Sequence, residues 1–433
     1  MDTLTDQTSS AWPLWRKIIF RFFFVYFVFE IAPWSWLWQI PGVSLLVDLY
    51  YKVLTAVVDF TNAKIFHVRD VLIPTNGSGD TSEGWATLWT YLLIALLACI
   101  IWSAFDRKRE NYTVLNYWLC LFARYYVALV AFSYGIIKLF GLQMVFPSLH
   151  QLATPLGDFL PMRFSWLFIG YSGPYQFFSG VMETIAGLLL LNRRMATLGV
   201  LLATGVFVNV MLLNLCYDIP VKVFAMQIAF TCFFLLANES GRLINFFILN
   251  KPAPLGQLYH FTYPKKWMKI SRIVLKVLFI ILTVGTGVYG SYGQYKSQHA
   301  PIAKTQIKNG VYEVTGYAVN NVQLSAKDSL RWKDAIFENG TGSTIVADTS
   351  FRPRYGRAYF GFKTDSTQHK ITITKALDGS VVIYNFDYVR PDTSTIRLTG
   401  KTPQGDVVID LKRTNRHFQL AERQFHWLSE HNR

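Results

Sequence analysis

The sequence predicts a polytopic α-helical membrane protein of about seven spans, followed by a small C-terminal antiparallel β domain. Three observations predict it. Of the 433 residues, 52% are hydrophobic and only 16% charged, where a soluble chain carries roughly a quarter charged. Long apolar runs recur between residues 18 and 289. Beyond Pro301 polar residues rise and apolar ones begin to alternate, the period of a half-buried strand. The net charge of +15 is gathered largely at the ends of apolar runs, which is how topology signals are distributed. The expected partner is therefore a lipid bilayer and not a nucleic acid.

Residues 1–112 read as an N-terminal region of two spans with an outer amphipathic segment. Trp15, Arg16, Lys17 and Arg21 precede or open the first run, about 18–32, and place the N-terminus in the cytoplasm. No small-residue cleavage site follows, so the run is expected to stay as an anchor. Pro33, Trp34, Trp36 and Trp38 mark an interfacial exit. Residues 43–66 read as an amphipathic helix, with Leu45, Leu49, Val53, Val57 and Phe60 near helical spacing. The tract Asn76-Gly77-Ser78-Gly79-Asp80 is a turn-rich loop. A second span, about 85–105, ends in Asp106-Arg107-Lys108-Arg109-Glu110, a cytoplasmic marker.

Residues 113–237 read as a four-helix membrane unit. Its spans are about 114–140, 175–191, 196–215 and 221–237, with an outer loop at 141–174 and an outer turn at Tyr217-Asp218-Ile219-Pro220. Residues 238–300 hold a basic cytoplasmic segment, a short interfacial helix at 243–249 and a last span at about 273–289. Residues 301–433 form the extracytoplasmic β domain, with strands at 311–315, 358–362, 370–375, 380–384, 395–399 and 406–411 and turns at Asp378-Gly379, Pro403 and Gly405. Phe425-His426-Trp427 reads as an aromatic clasp on that domain or as a packed tail. Cys99, Cys120, Cys216 and Cys232 form no C-x-x-C pair, so neither a dithiol motif nor a metal site is expected, and all four read as small buried residues.

The candidate chemistry lies in the four-helix unit, because ionisable groups in apolar spans are costly and turn inward to find partners. Arg124, Tyr134 and Lys138 fall near one face of the third span, with Arg124 near mid-depth and Lys138 near the outer end. Lys138 has the second reading of a snorkelling span-end lysine. Glu183 lies between Gly180 and Gly187 on the fourth span, and an ion pair with Arg124 is the expected arrangement, for packing or for chemistry. Asn209, Asn214, Tyr217, Asp218 and Lys222 are expected at similar depth near the outer leaflet. Lys138, Glu183, Asp218 and Arg124 are thus the catalytic candidates, and Tyr134, Asn209, Asn214, Tyr217 and Lys222 the substrate-binding ones.

These residues resemble the DoxX-like family. The pattern is Arg124-Tyr125-Tyr126, then Tyr134-Gly135-x-x-Lys138-Leu139, Gly180-x-x-Glu183, and Asn214-x-x-Tyr217-Asp218-x-Pro220-x-Lys222. The chain is most similar to long Bacteroidetes-type members, with which it shares Asn76-Gly77-Ser78-Gly79-Asp80-Thr81, Arg390-Pro391-Asp392 and Phe425-His426-Trp427. The resemblance implies a bacterial inner-membrane protein with a periplasmic C-terminal domain. Some members are subunits of a thiosulfate:quinone oxidoreductase, so a quinone is the implied cofactor. The Tyr134-to-Leu139 run also resembles a lysine-bearing helix of the vitamin K-dependent carboxylase, which implies a base role for Lys138. The alternative function is a non-enzymatic scaffold that binds an envelope or membrane protein through its β domain. A small-anion transporter is a third reading, against which no inverted repeat is evident.

Overall fold

The computed structural model describes residues 11–38, 42–76, 79–252, 264–300, 306–376, 378–423 and 425–428. The chain divides into two compact units, one of Met1–Gln143 with Gly173–Tyr295 and one of Met144–Ser172 with Lys296–Arg433. Segment 144–172, expected as a plain outer loop of the four-helix unit, therefore belongs with the β domain.

The first unit begins with α1 (Leu14–Ile31), α2 (Val43–Thr61), α3 (Ser82–Phe105) and α4 (Thr113–Leu139). Two short helices of the second unit intervene, α5 (Leu149–Leu152) and α6 (Pro161–Tyr171). The first unit resumes with α7 (Gly173–Leu191), α8 (Ala196–Cys216), α9 (Lys222–Asn238), α10 (Ser240–Leu243) and α11 (Lys266–Gln298). Among the described residues, five helical stretches are long and apolar enough to cross a membrane: Leu14–Leu37, α3, α4, α8 and α11. A sixth candidate is α9 taken with Ser240–Ile248, bent by 69°. The expected span at 175–191 corresponds to α7, which lies outside these five and carries Gln176 and Glu183.

Helix α4 packs against α7, α7 and α9 against α8, and α1 against α3. The contact surface is built from small residues, which let helices approach closely: Ala123, Val127, Ala131, Ala186 and Ala203 are fully buried. At the start of α3 the Thr81 side chain caps the helix by accepting from the Gly84 amide at 3.3 Å. Arg21 is buried, and each nitrogen of its guanidinium donates a hydrogen bond. Its Nε donates to Tyr112 Oη at 2.8 Å, Nη1 to Ser103 Oγ at 2.9 Å and Nη2 to the Asp106 carbonyl at 2.7 Å. It is a brace at the foot of α1 and α3 as well as a flanking charge.

The 43–66 segment is helical as expected; it packs Val47, Leu54, Val58 and Thr61 inward, and the expected apolar row of Leu45, Leu49, Val53 and Phe60 points outward. Cys99 and Cys232 are buried as expected, whereas Cys120 is half-buried and Cys216 exposed.

The second unit contains β1 (Gly310–Val319), β2 (Val322–Gln323), β3 (Asp334–Glu338), β4 (Thr341–Thr344), β5 (Arg352–Arg354), β6 (Arg357–Asp365), β7 (Lys370–Lys375), β8 (Asp378–Val389), β9 (Thr395–Thr402) and β10 (Gly405–Arg413). All six expected strands are present, five of them within longer ones and 370–375 with the bounds of β7. Each of β3, β4, β6, β7, β8, β9 and β10 pairs antiparallel with the next in that order, and β10 closes on β1, which pairs β3. The result is an eight-stranded up-and-down barrel, with β2 and β5 as appendages. Closure leaves no bare edge. A register shift between Val314 and Gly316 bends β1 where it is shared by its neighbours.

Alternate side chains fill the interior: Ile371 and Ile373 on β7, Ile396 and Leu398 on β9, and Val407, Ile409 and Leu411 on β10. The rings of Tyr312, Phe337, Phe360 and Phe386 complete it. One residual cavity, of about 10 Å³, lies beside Trp332 and Tyr384 and has room for about one water. Three two-residue turns, Asn320-Asn321, Asn339-Gly340 and Tyr355-Gly356, place both residues at positive φ, as type I′ hairpins require. Asp378-Gly379, expected as a turn, instead opens β8. Phe425 and Trp427 meet edge to face, ring centres 5.0 Å apart, and are 77% and 91% exposed, so neither ring is buried against the barrel.

Segment 144–172 is fixed to the barrel by a buried polar cluster. Helix α5 opens with a Ser148–Gln151 capping box. His150, on α5, is hydrogen-bonded through Nδ1 to Ser343 Oγ at 2.8 Å, and its Nε2 lies 3.8 Å from Glu338. Arg357 donates to the same Ser343 Oγ at 3.1 Å and to Asp334 at 2.6 Å. The Leu149 amide donates to Glu338 at 2.9 Å. Serine, histidine and glutamate in a row suggest a hydrolytic triad, but Ser343 is fully buried and open to no substrate. The cluster is a lock.

Candidate functional site

The site grows from the crossing of α4 and α7. Gly135 and Gly180 face each other so closely that a Cβ on Gly180 would stand 2.7 Å from the Gly135 carbonyl oxygen and 2.9 Å from the Leu139 nitrogen. Glycine is required there because backbone, not a movable side chain, occupies the space. One turn beyond Gly135 on α4 comes Lys138, and one turn beyond Gly180 on α7 comes Glu183. The close crossing brings their side chains together, and Lys138 Nζ donates to Glu183 Oε1. The side chains are 7% and 1% exposed. Glu183 Oε2 is buried and has no hydrogen-bond partner among the described residues. Tyr134 flanks the pair, its ring centre 5.9 Å from Lys138 Nζ, and packs towards Phe224 of α9.

The expected Arg124–Glu183 pair is not formed. Helices α4 and α7 run antiparallel, and Arg124 lies opposite Leu190, two turns along α7 from Glu183. Its Nε and Nη2 both donate to the Leu190 carbonyl, at 3.2 and 2.6 Å. Arg124 thus binds the end of α7, where free carbonyls and the helix dipole both favour a cation. The Lys138–Glu183 pair replaces it and also removes the snorkelling reading of Lys138.

The residues of the 214–222 turn form a second, separate cluster. Asp80 caps α9: Oδ2 accepts from the Lys222 amide and Oδ1 from the Val223 amide, each at 2.9 Å. Lys222 Nζ meets Asp218 at 2.7 Å and Asp80 at 3.4 Å. Asp218 adopts positive φ, and its side chain is 78% exposed. Lys222 therefore ties the α8–α9 turn to Asp80 before α3, Asp218 braces Lys222, and neither joins the Lys138–Glu183 pair. Tyr217 is half-buried on the same turn. Asn214 is buried, donating from Nδ2 to the Val210 carbonyl at 2.7 Å, with its Oδ1 lacking a partner among the described residues. Asn209, five residues earlier, is exposed on another face of α8.

Of the nine candidates, the structure joins Lys138 and Glu183 into one buried pair, flanked by half-buried Tyr134. What can it do chemically? An ammonium and a carboxylate share a proton-exchangeable contact, and the second carboxylate oxygen is left to accept a hydrogen bond. Among the described residues, no group of three or more His, Cys, Asp or Glu side chains is placed to hold a metal ion.

No protein-family model matches the sequence, and no solved structure matches it. A similar protein is the uncharacterized protein YwoB of Bacillus subtilis (strain 168). It is 35% identical over 83 residues, which make up 19% of this chain and 54% of YwoB. The chain thus spans about half the length of this curated relative.

Proposed function

We propose that the helical unit is embedded in a bacterial inner membrane and that Lys138 and Glu183 receive the polar head of a lipid-soluble quinol. The observation that carries this reading is the buried Glu183 Oε2, which has no hydrogen-bond partner among the described residues. A buried acceptor costs stability unless a donor reaches it, and a quinol hydroxyl is such a donor. Lys138 would steady negative charge on the quinol oxygen as its proton leaves, and the Tyr134 ring would flank the head group. A quinone-linked redox subunit with its N-terminus in the cytoplasm and its barrel in the periplasm fits this reading, as the DoxX-like resemblance implies. The test is mass spectrometry of lipid-soluble molecules co-purified with the protein. A quinone retained by the native chain and lost from Glu183→Gln supports the reading, and equal retention by both removes it.

The scaffold reading rests on a different observation. The barrel is filled by its own side chains, so its contribution lies on its outer surface. Affinity capture from intact envelopes with the full chain discriminates the two readings. A stoichiometric partner that survives Lys138→Met and Glu183→Leu favours a scaffold.

A further inference from the structure

Glu30, the penultimate residue of α1, carries no motif and yet stands in the middle of the helical unit. Gln227 of α9 donates to it through Nε2, and the Tyr126 hydroxyl of α4 donates to the same carboxyl. Gln227 is in turn bonded to Tyr26. Tyr91 of α3 is close by, its ring 5.6 Å from that of Phe29. Nine residues separate Tyr91 from the start of α3 and fourteen from its end, about 14 and 21 Å of helix rise. The cluster is therefore far from both ends of the helical layer.

Two features of the cluster concern charge. The donors to Glu30 are neutral, and among the described residues no Lys, Arg or His is ion-paired with it. In addition, α1 stops here. Ala32 turns left-handed at φ 39, and Pro33 starts a 3-10 turn, Pro33–Leu37, that continues the apolar stretch. The carboxyl thus lies at the negative end of an interrupted helix, where an anion gains nothing from the dipole. Arg124, by contrast, supplies a cation to the end of α7. Interrupted helices in membrane layers place carbonyl ends around bound Na⁺ or H⁺.

We propose that Glu30 is the binding site of a monovalent cation, Na⁺ or H⁺, held between its carboxyl group and the oxygens of Tyr126 and Gln227. A single carboxylate supplies one negative charge, which suits a singly charged ion. Divalent ions of the Ca²⁺ type recruit several carboxylates. With Na⁺ the Gln227 amide presents its oxygen to the ion, and with H⁺ the carboxylic acid itself donates. The site uses neither Lys138 nor Glu183, so it stands or falls apart from the quinol reading.

The experiment uses the full chain in lipid nanodiscs. The thermal midpoint is measured in NaCl and in choline chloride, and infrared difference spectra follow carboxyl groups across pH, for the native protein, Glu30→Gln and Tyr126→Phe. Stabilisation by Na⁺ that Glu30→Gln abolishes identifies the ion as Na⁺. No Na⁺ response, with a protonated-carboxyl band that Glu30→Gln removes, identifies it as H⁺. Tyr126→Phe weakens the Na⁺ response about tenfold, the effect of one hydrogen bond to a charged group, and moves the pH at which the carboxyl band appears, because the lost hydroxyl donates to the ionised form. The proposal is overturned if the native protein shows neither response. Should Glu30→Gln fail to assemble, responses of Tyr126→Phe equal to native overturn it as well.

Discussion

Replacing Lys138 by methionine is expected to destabilise the helical unit by about 3–5 kcal/mol, because it leaves Glu183 as an uncompensated buried charge. The magnitude follows from the geometry. The Glu183 side chain is 1% exposed, its Oε2 already lacks a partner among the described residues, and Lys138 bonds its Oε1. The double variant Lys138→Met with Glu183→Leu removes both charges while keeping volume, and it is expected to return to within about 1–2 kcal/mol of the native protein. The assay is unfolding of the four proteins of this cycle in mixed detergent micelles, with SDS as denaturant. A coupling of at least about 2 kcal/mol is expected between the two positions. The reasoning is refuted if the single variant is as stable as native, or if the double variant is no better than the single.

Three further outcomes follow from the geometry. Gly180→Ala drives a Cβ against the α4 backbone and is expected to cost about 1–3 kcal/mol in the same assay, whereas Gly205→Ala, with open space around it, costs nothing measurable. Burial and the nearby Arg357 push His150 down from 6.5 to about 4. The folded state therefore binds fewer protons than the unfolded state between those values, and acid weakens the lock by up to about 1.4 kcal/mol per pH unit across that window. Glu338, raised by burial, opposes this slope near its own range. Calorimetry of the full chain between pH 7 and 4 should show His150→Gln with a flatter profile than native. Gly340→Val puts a β-branched residue at φ 78 in the β3–β4 turn and is expected to destabilise the barrel by about 1–3 kcal/mol, read as a lower thermal midpoint.

Elements whose signal is local were legible in the sequence. Apolar runs marked α1, α3, α4, α8, α9 and α11, and period-two alternation marked six of the barrel strands. The β3–β4 hairpin was not among the expected strands, although Asn339-Gly340 between short apolar runs is itself a hairpin signal. Barrel closure escaped for another reason: β1 and β10 meet across some ninety residues, and no periodicity encodes which strands close. The same holds for the docking of 144–172, where His150 and Ser343 are 193 residues apart.

At the site, residue types were readable and their pairing was not. Glu183 needed a cation, and both Arg124 and Lys138 stood on α4. The choice depends on where the helices cross, which Gly135 and Gly180 set by backbone contact. Asp218 and Lys222 looked like site residues because turn and span-end charges share their composition with helix caps. Glu30 was missed because it ends an aromatic-rich run that otherwise reads as an anchor, and its partners Tyr126 and Gln227 come from distant helices.

The central claim is that the open oxygen of Glu183 is the acceptor for a quinol hydroxyl. The most direct measurement is a binding titration of a short-chain quinol against the native protein and Glu183→Gln in nanodiscs, with Asn209→Ala as a control on the exposed face of α8. The account predicts binding at least tenfold weaker in Glu183→Gln and unchanged in Asn209→Ala. Equal affinity in all three, or no binding to the native protein, contradicts it.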